Sequence, residues 1–152
     1  MIQFKKARVA DAQTLALISG RAFDHDVHYG APGPGGPPGY KSDQWQRKMM
    51  RLGDYYKILD DDQIIGGFII FRKAPREYEL GRIFIEPDYQ NRGLGSQAFA
   101  FIWAEYPLAK RWTLGTPAWN RRNRHFYQKV GFVEIGMDGP DGILFERVRT
   151  AP

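Results

Sequence analysis

A chain of 152 residues, 43% hydrophobic and 26% charged, is long enough to bury a core without staples and too apolar for general disorder. It contains no Cys, which excludes disulfides, a cysteine nucleophile and thiolate metal sites. Twenty-two Lys and Arg against seventeen Asp and Glu give a net charge of +5 and a pI near 9.5, a balance that suits an anionic partner or simply a well-solvated basic surface.

The longest apolar runs, such as Phe68-Ile69-Ile70-Phe71, are far shorter than a bilayer span, and the first residues carry no apolar stretch ahead of a cleavage site. The expectation is a cytoplasmic protein of one domain over residues 1–152. Ile2–Val9 reads as a strand, and Asp11 as the N-cap of a helix running to about Phe23, with Leu15, Ile18 and Ala22 at helical spacing. In residues 30–39 every residue but Ala31 is Gly or Pro, so no regular element is expected there. Ser42 caps a second helix with Trp45, Met49 and Leu52 on one face, stopped by Gly53.

From there the period changes to that of strands. Residues 55–59 and 64–72 form a hairpin, and 77–86 a third strand that ends at Pro87. Residues 93–106 read as a helix apolar nearly all round, 112–116 as a strand, 121–130 as a helix, and 132–137 and a run ending at Val148 as a final pair of strands. This order predicts a mixed α/β fold with one strand–helix–strand crossover that pairs in parallel.

The stretch Glu86-Pro87-Asp88-Tyr89-Gln90-Asn91-Arg92-Gly93-Leu94-Gly95-Ser96 carries the functional signal. A strand ends, a polar turn follows, and two glycines open a helix. Free N–H groups at such a helix start, aided by its dipole, suit an anion such as pyrophosphate, and glycine lets it approach. An ordinary tight turn has the same local composition. A dinucleotide fingerprint is excluded, because position 98 is Ala and no acidic residue follows at the needed distance. Residues 35–42 only faintly approach a Walker A loop: Tyr40 separates Gly39 from Lys41, and Pro37 and Pro38 remove donors.

The run Gln90–Gly95 resembles the Gln/Arg-x-x-Gly-x-Gly/Ala signature of the GNAT superfamily of N-acetyltransferases. Asn120 with Phe126-Tyr127-Gln128-Lys129-Val130-Gly131-Phe132 is similar to that family's Asn…Tyr-x-Lys-x-Gly-Phe block. The resemblance implies a GNAT fold: a central, mostly antiparallel twisted sheet with a splayed parallel strand pair and flanking helices. It implies acetyl-CoA as co-substrate and no metal. Ile83, Phe84 and Ile85 would offer backbone groups to the pantetheine arm; Gln90, Asn91, Arg92, Gly93, Leu94, Gly95 and Ser96 would hold the pyrophosphate; Asn120 would bond the pantetheine amide. Arg121, Arg122 and Arg124 either attract the remaining phosphate or form a solvated helix face.

Acetylating an amine requires that an ammonium lose a proton and that a thiolate gain one. By the same resemblance Tyr127 is the general acid and Glu79 the general base acting through water, or else Glu79 is a structural or solvent-facing carboxylate. Histone-acetylating members carry a Glu at that position. Other members take the base from the strand before Asn120, where this chain has Gly115. The N–H of Ile85 would stabilise the oxyanion. His25, His28, Asp24 and Asp26 lack the helical pairing of a metal site. With residues 30–40 they are expected to wall the acceptor side. The acceptor is read as the primary amine of a small molecule, attacking directly in a ternary complex. The alternatives are a protein N-terminus or lysine, a non-catalytic CoA-binding regulatory domain, or a nucleic-acid binder, the last disfavoured by the lack of interleaved aromatic and basic residues. No membrane partner is expected, and exposed Trp or Phe residues would support a homodimer.

Overall fold

The computed structural model describes residues 1–149. In chain order it contains β1 (Ile2–Lys6), α1 (Ala12–Asp24), α2 (Asp43–Leu52), β2 (Asp54–Asp60), β3 (Gln63–Ala74), β4 (Glu77–Ile85), α3 (Leu94–Glu105), β5 (Arg111–Pro117), α4 (Arg121–Lys129), β6 (Val133–Asp138) and β7 (Gly142–Val148). Single 3-10 turns precede α1, follow it at His25–Tyr29, and follow β4 at Pro87–Tyr89. The strands form one seven-stranded sheet in the order β1-β2-β3-β4-β5-β7-β6, antiparallel throughout except for β4 with β5. This is the expected mixed α/β architecture.

Both faces of the sheet are covered. On one, Leu94, Ala98, Phe99 and Ile102 of α3 and Tyr127 of α4 pack on Tyr56, Ile58, Phe68, Ile70, Leu80, Trp112, Leu114 and Phe145. On the other, Leu15, Ile18 and Ala22 of α1, with Trp45, Met49 and Met50 of α2, cover Tyr55, Ile69 and Phe84. The nearly all-round apolar character of α3 follows from burying residues on several sides between sheet and α4.

Some local expectations give way. Asp11 does not cap α1: its carboxylate turns back to accept from the Arg8 N–H at 2.8 Å and from Lys57 Nζ at 2.8 Å, because the chain makes a 3-10 turn first and β1 ends early. Leu52 is exposed and Met50 takes its place against the sheet. Ser42 does cap α2, accepting from the Trp45 N–H at 3.0 Å, and Gly53 closes that helix. No Trp or Phe is exposed among the described residues, which removes the aromatic surface expected for a homodimer. Among the described residues no helix is long and apolar enough to cross a membrane.

What positions the site is the parallel pair. β4 and β5 hold register only at Glu77–Arg111, Tyr78–Trp112 and Glu79–Thr113. Beyond that, β4 carries a bulge at Gly81, with Ile69 opposite Arg82 and Ile70 opposite Leu80. A bulge bends the strand that contains it, so β4 leaves β5 and its edge from Leu80 to Ile85 is unpaired on that side.

Candidate active site

The gap between β4 and β5 opens beneath the N-termini of α3 and α4 into a cleft of about 460 Å³. The side chains of Ile83 and Ile85 form one wall, Tyr89 through Ser96 the rim, and Arg122, Asn123, Phe126, Tyr127 and Lys129 of α4 the opposite wall, with Arg92 outside the lining. Phe84, between the two isoleucines, is buried among α1 residues on the other face, so only its backbone borders the gap.

The rim presents a run of free backbone donors. Asn91 (φ 63°) and Gly93 (φ 77°) are left-handed, which turns successive N–H groups outward. Gly93 opens α3 with no side-chain cap, and the first helical bond runs from the Gln97 N–H to the Gly93 carbonyl. The N–H groups of residues 91–96 therefore have no partner among the described residues. Gly95 has a second reason: a Cβ there would come within 2.8 Å of Phe126 Cζ.

Both side-chain polar atoms of Gln90 have partners within the protein. Its Nε2 donates to the Ile85 carbonyl at 2.9 Å and its Oε1 accepts from Arg122 at 2.9 Å, tying the rim to β4 and α4. Arg122 also reaches Asp26 at 3.4 Å and lies 3.6 Å from the Tyr29 ring centre, and the Tyr29 hydroxyl accepts from Asn91 at 3.2 Å. The 3-10 turn after α1 thus clamps the rim. Of the arginine trio, Arg122 is engaged in this clamp and Arg124 pairs with Glu134 at 2.9 Å, which leaves Arg121 exposed. Lys129 is the α4 cation in the lining beside Arg122, and sequence reasoning missed it.

Tyr127 is buried in the aromatic cluster of Phe99, Phe126, Phe132 and Phe145, yet it lines the cleft. Burial pushes its phenol well above the ordinary tyrosine value, with the negative charge of Asp26 adding to the shift, so it stays protonated at neutral pH. Asn120 is buried and caps α4, its Oδ1 accepting from the Asn123 N–H at 3.0 Å. On the α4 wall the asparagine that lines the cleft is Asn123, three residues on. Its signal was obscured because only Asn120 matches a motif position.

Glu79 lies outside this lining. Its neighbours Tyr78 and Leu80 pack toward α3, so by strand alternation Glu79 faces the α1–α2 side, level with Thr113. Gly115, beside the inward-facing Leu114, is also turned to that side. The Asp138 carboxylate, at the end of β6, occupies the space that a Cβ on Gly115 would need. A side chain absent from β5 is thereby replaced by one from β6, a long-range substitution that no local pattern reveals. The Glu79 and Asp138 carboxylates and the Tyr127 phenol thus lie on opposite faces of the sheet.

The Gly/Pro segment covers the α1–α2 side. Tyr40 donates to Asp24 at 2.8 Å, Lys41 pairs with Asp24 at 2.9 Å, Gln46 Nε2 donates to the Gly39 carbonyl at 3.3 Å, and Arg82 donates to the Pro38 carbonyl at 3.1 Å. Asp24 and Asp26 are engaged elsewhere, while the His25 and His28 rings lie against each other with centroids 4.6 Å apart. Among the described residues no three His, Asp or Glu side chains gather as a cation site.

Residues 51–134, more than half the chain, match the family model described as an acetyltransferase (GNAT) domain. The chain is 33% identical over 79 residues to the uncharacterised protein YrkN of Bacillus subtilis, a match spanning 51% of this chain but only 43% of that relative. Its fold is similar to that of the PaiA N-acetyltransferase from Thermoplasma acidophilum in complex with coenzyme A, with a TM-score of 0.79 and 18% identity over 98% of this chain and 99% of the other. It is also similar to the ribosomal-protein-S18-alanine N-acetyltransferase from Escherichia coli, with a TM-score of 0.76 and 17% identity over 100% and 97% of the two chains.

Proposed function

Because this chain belongs to the GNAT acetyltransferase family, we propose that it acts as one domain that transfers the acetyl group of acetyl-CoA to the primary amine of a small molecule, by direct attack in a ternary complex. The observation that carries this reading is the run of partnerless N–H groups at residues 91–96, at the mouth of a cleft that also exposes the unpaired edge of β4 and the phenol of Tyr127. Six such donors and the dipole of α3 suit a pyrophosphate, and the free edge of β4 suits an amide-bearing arm laid alongside as an extra strand.

In this reading Gly93, Leu94, Gly95 and Ser96, with Asn91, hold the diphosphate through backbone N–H groups. Gln90 positions them from behind, and Ile83, Phe84 and Ile85 hold the pantetheine. Glu79, through water, takes the ammonium proton. The amine nitrogen then bonds to the thioester carbon, with the N–H of Ile85 facing the oxyanion. The carbon–sulfur bond breaks, Tyr127 gives its proton to the leaving thiolate, and the proton shed by the new amide nitrogen, carried by water, restores the phenol. Asp138 offers a second reading of the base, because its carboxylate lies over Gly115 on the acceptor side.

The pinned Gly/Pro segment narrows the acceptor side and supports a small acceptor over a protein tail, although the S18-alanine enzyme of similar fold keeps the protein reading in view. Calorimetry with acetyl-CoA, followed by thiol release with a panel of polyamines, amino acids, aminoglycosides and peptides, tests the proposal. Absence of binding heat sinks it; turnover of peptides alone transfers it to the protein class.

A further inference from the structure

We propose that Arg82 is the receptor for a carboxylate carried by the acceptor amine, so that the acceptor is an amino acid or a similar amino-carboxylate. This deepens the transferase reading above and rests on it.

Arg82 stands on β4 just past the bulge, three residues from Glu79 and on the same α1–α2 side. Its guanidinium carbon lies 3.8 Å from the centre of the Trp45 ring, and Nη2 donates to the Pro38 carbonyl at 3.1 Å. Nη1 is closed off from solvent and has no partner. Tyr55, the one ionisable group acting on it, donates its own hydroxyl to Gln46. Burial pulls the guanidinium down, to about 10, and no carboxylate among the described residues offsets it. An unpaired buried charge is costly to keep, and a fork of two parallel donors is matched by the two oxygens of one carboxylate. The Pro38 carbonyl meets only one of those donors.

The position gives this unmet donor a use. The chain just after Pro38 is anchored, by Gly39 on Gln46 and by Tyr40 on Asp24, while Pro38 itself is exposed. A carboxylate that displaces the Pro38 carbonyl exchanges one bond to a neutral acceptor for two to an ionised one. Its amine, on the same molecule, then lies on the side of β4 that carries Glu79. The indole of Trp45, in cation–π contact, holds the guanidinium in place.

The test compares acceptors in pairs that differ only by a carboxylate: alanine with ethylamine, phenylalanine with phenethylamine, lysine with 1,5-diaminopentane. Phosphoethanolamine serves as the phosphate control, and thiol release is the readout. In the unaltered protein, kcat/KM is expected to favour the carboxylate member of at least one pair by about tenfold or more. Arg82→Gln should raise KM for that member by a similar factor with kcat nearly unchanged, and leave its decarboxylated partner and acetyl-CoA binding within about twofold; Arg82→Lys should recover part of the loss.

Equal losses for both members would make Arg82 a packing residue and overturn the inference. So would the absence of a carboxylate preference in the unaltered protein, or a preference for phosphoethanolamine. Should Arg82→Gln fail to fold, the paired comparison in the unaltered protein decides alone. If amines of either kind are acetylated without preference, only this inference falls; if none is acetylated, the transferase reading falls and this falls with it.

Discussion

Arg122 donates to the side-chain carbonyl of Gln90 at 2.9 Å, and this bond joins the start of α4 to the donor-lined rim of the cleft. The guanidinium is further fixed by Asp26 and by the face of Tyr29. Its function is therefore to brace the rim. Arg122→Ala is expected to weaken acetyl-CoA binding by about tenfold, the cost of losing one charge-assisted bond and the packing behind it. Arg122→Lys should not recover it, since an ammonium cannot span both acceptors in the plane of the ring. Arg121→Ala should change affinity by less than about twofold. Calorimetry on the three variants distinguishes bracing from simple charge attraction, which would weight Arg121 and Arg122 alike.

Gly95 is fixed by the ring of Phe126. A methyl at 95 lies 2.8 Å from Cζ, so the ring must shift within a packed aromatic cluster. Overpacking of this kind costs about 1–3 kcal/mol, or a few degrees of melting temperature in a chain this size. Gly95→Ala should melt lower and bind acetyl-CoA more weakly, since the Cβ also crowds the N–H groups that face the anion. Adding Phe126→Leu should restore the melting temperature in part but not the affinity. Recovery of both together would place the whole effect in packing.

The two parts of the site differ in how plainly the sequence spells them. The rim is local: Gln90 to Gly95 follow a strand and open a helix, and both the left-handed turn and the free donors come from residues adjacent in the chain. The alternation of Tyr78 and Leu80 likewise declares which way Glu79 points. What the sequence hides is built from distant segments. Nothing near Gly115 announces that Asp138 fills its empty side, and nothing near Arg122 shows that Gln90 and Asp26 absorb its charge. Asp11 was misread for the same reason, its carboxylate being claimed by Lys57, 46 positions away. The Gly/Pro segment reads as irregular, correctly, but its anchoring by Asp24 and Gln46 depends on two helices meeting.

Two carboxylates, Glu79 and Asp138, compete for the role of base, and the free amine fraction tells them apart. Removing the base forces the enzyme to rely on acceptor that is already deprotonated, and that fraction grows tenfold per pH unit below an amine pKa of about 10. Glu79→Gln is expected to lower kcat at neutral pH by about a hundredfold, with activity recovering as pH rises. Asp138→Asn should retain a near-normal pH–rate profile. The reverse pattern would assign the proton to Asp138.

Asp24 couples acidity to the anchoring of the Gly/Pro segment. Hydrogen bonds from Lys41 and Tyr40 hold its carboxyl below the ordinary aspartate value. A group whose folded pKa is depressed stabilises the fold above its unfolded pKa of about 3.9 and loses that contribution as pH falls toward the folded value. Thermal melts should therefore show a loss of stability below about pH 4 that is smaller in Asp24→Asn. The variant should also speed proteolysis within residues 30–40, and unchanged cleavage there would show the segment to be held by other contacts.

Tyr127 tests the chemistry itself. Its ring packs against Phe99, Phe126, Phe132 and Phe145, so Tyr127→Phe removes one oxygen with little disturbance of the core. Burial, with Asp26 adding, keeps the phenol above the ordinary value of about 10, so it stays protonated through the working range and contributes no limb to the pH–rate profile below that value. If it protonates the thiolate, Tyr127→Phe lowers kcat by about 10²–10³ while acetyl-CoA affinity stays within about threefold. The thiolate's own basicity sets a sharper check. An acyl donor whose thiol has a lower pKa needs less help in leaving, so the deficit of Tyr127→Phe should shrink with such a donor. A deficit that is constant across donors would mean that the hydroxyl positions the thioester and does not protonate it.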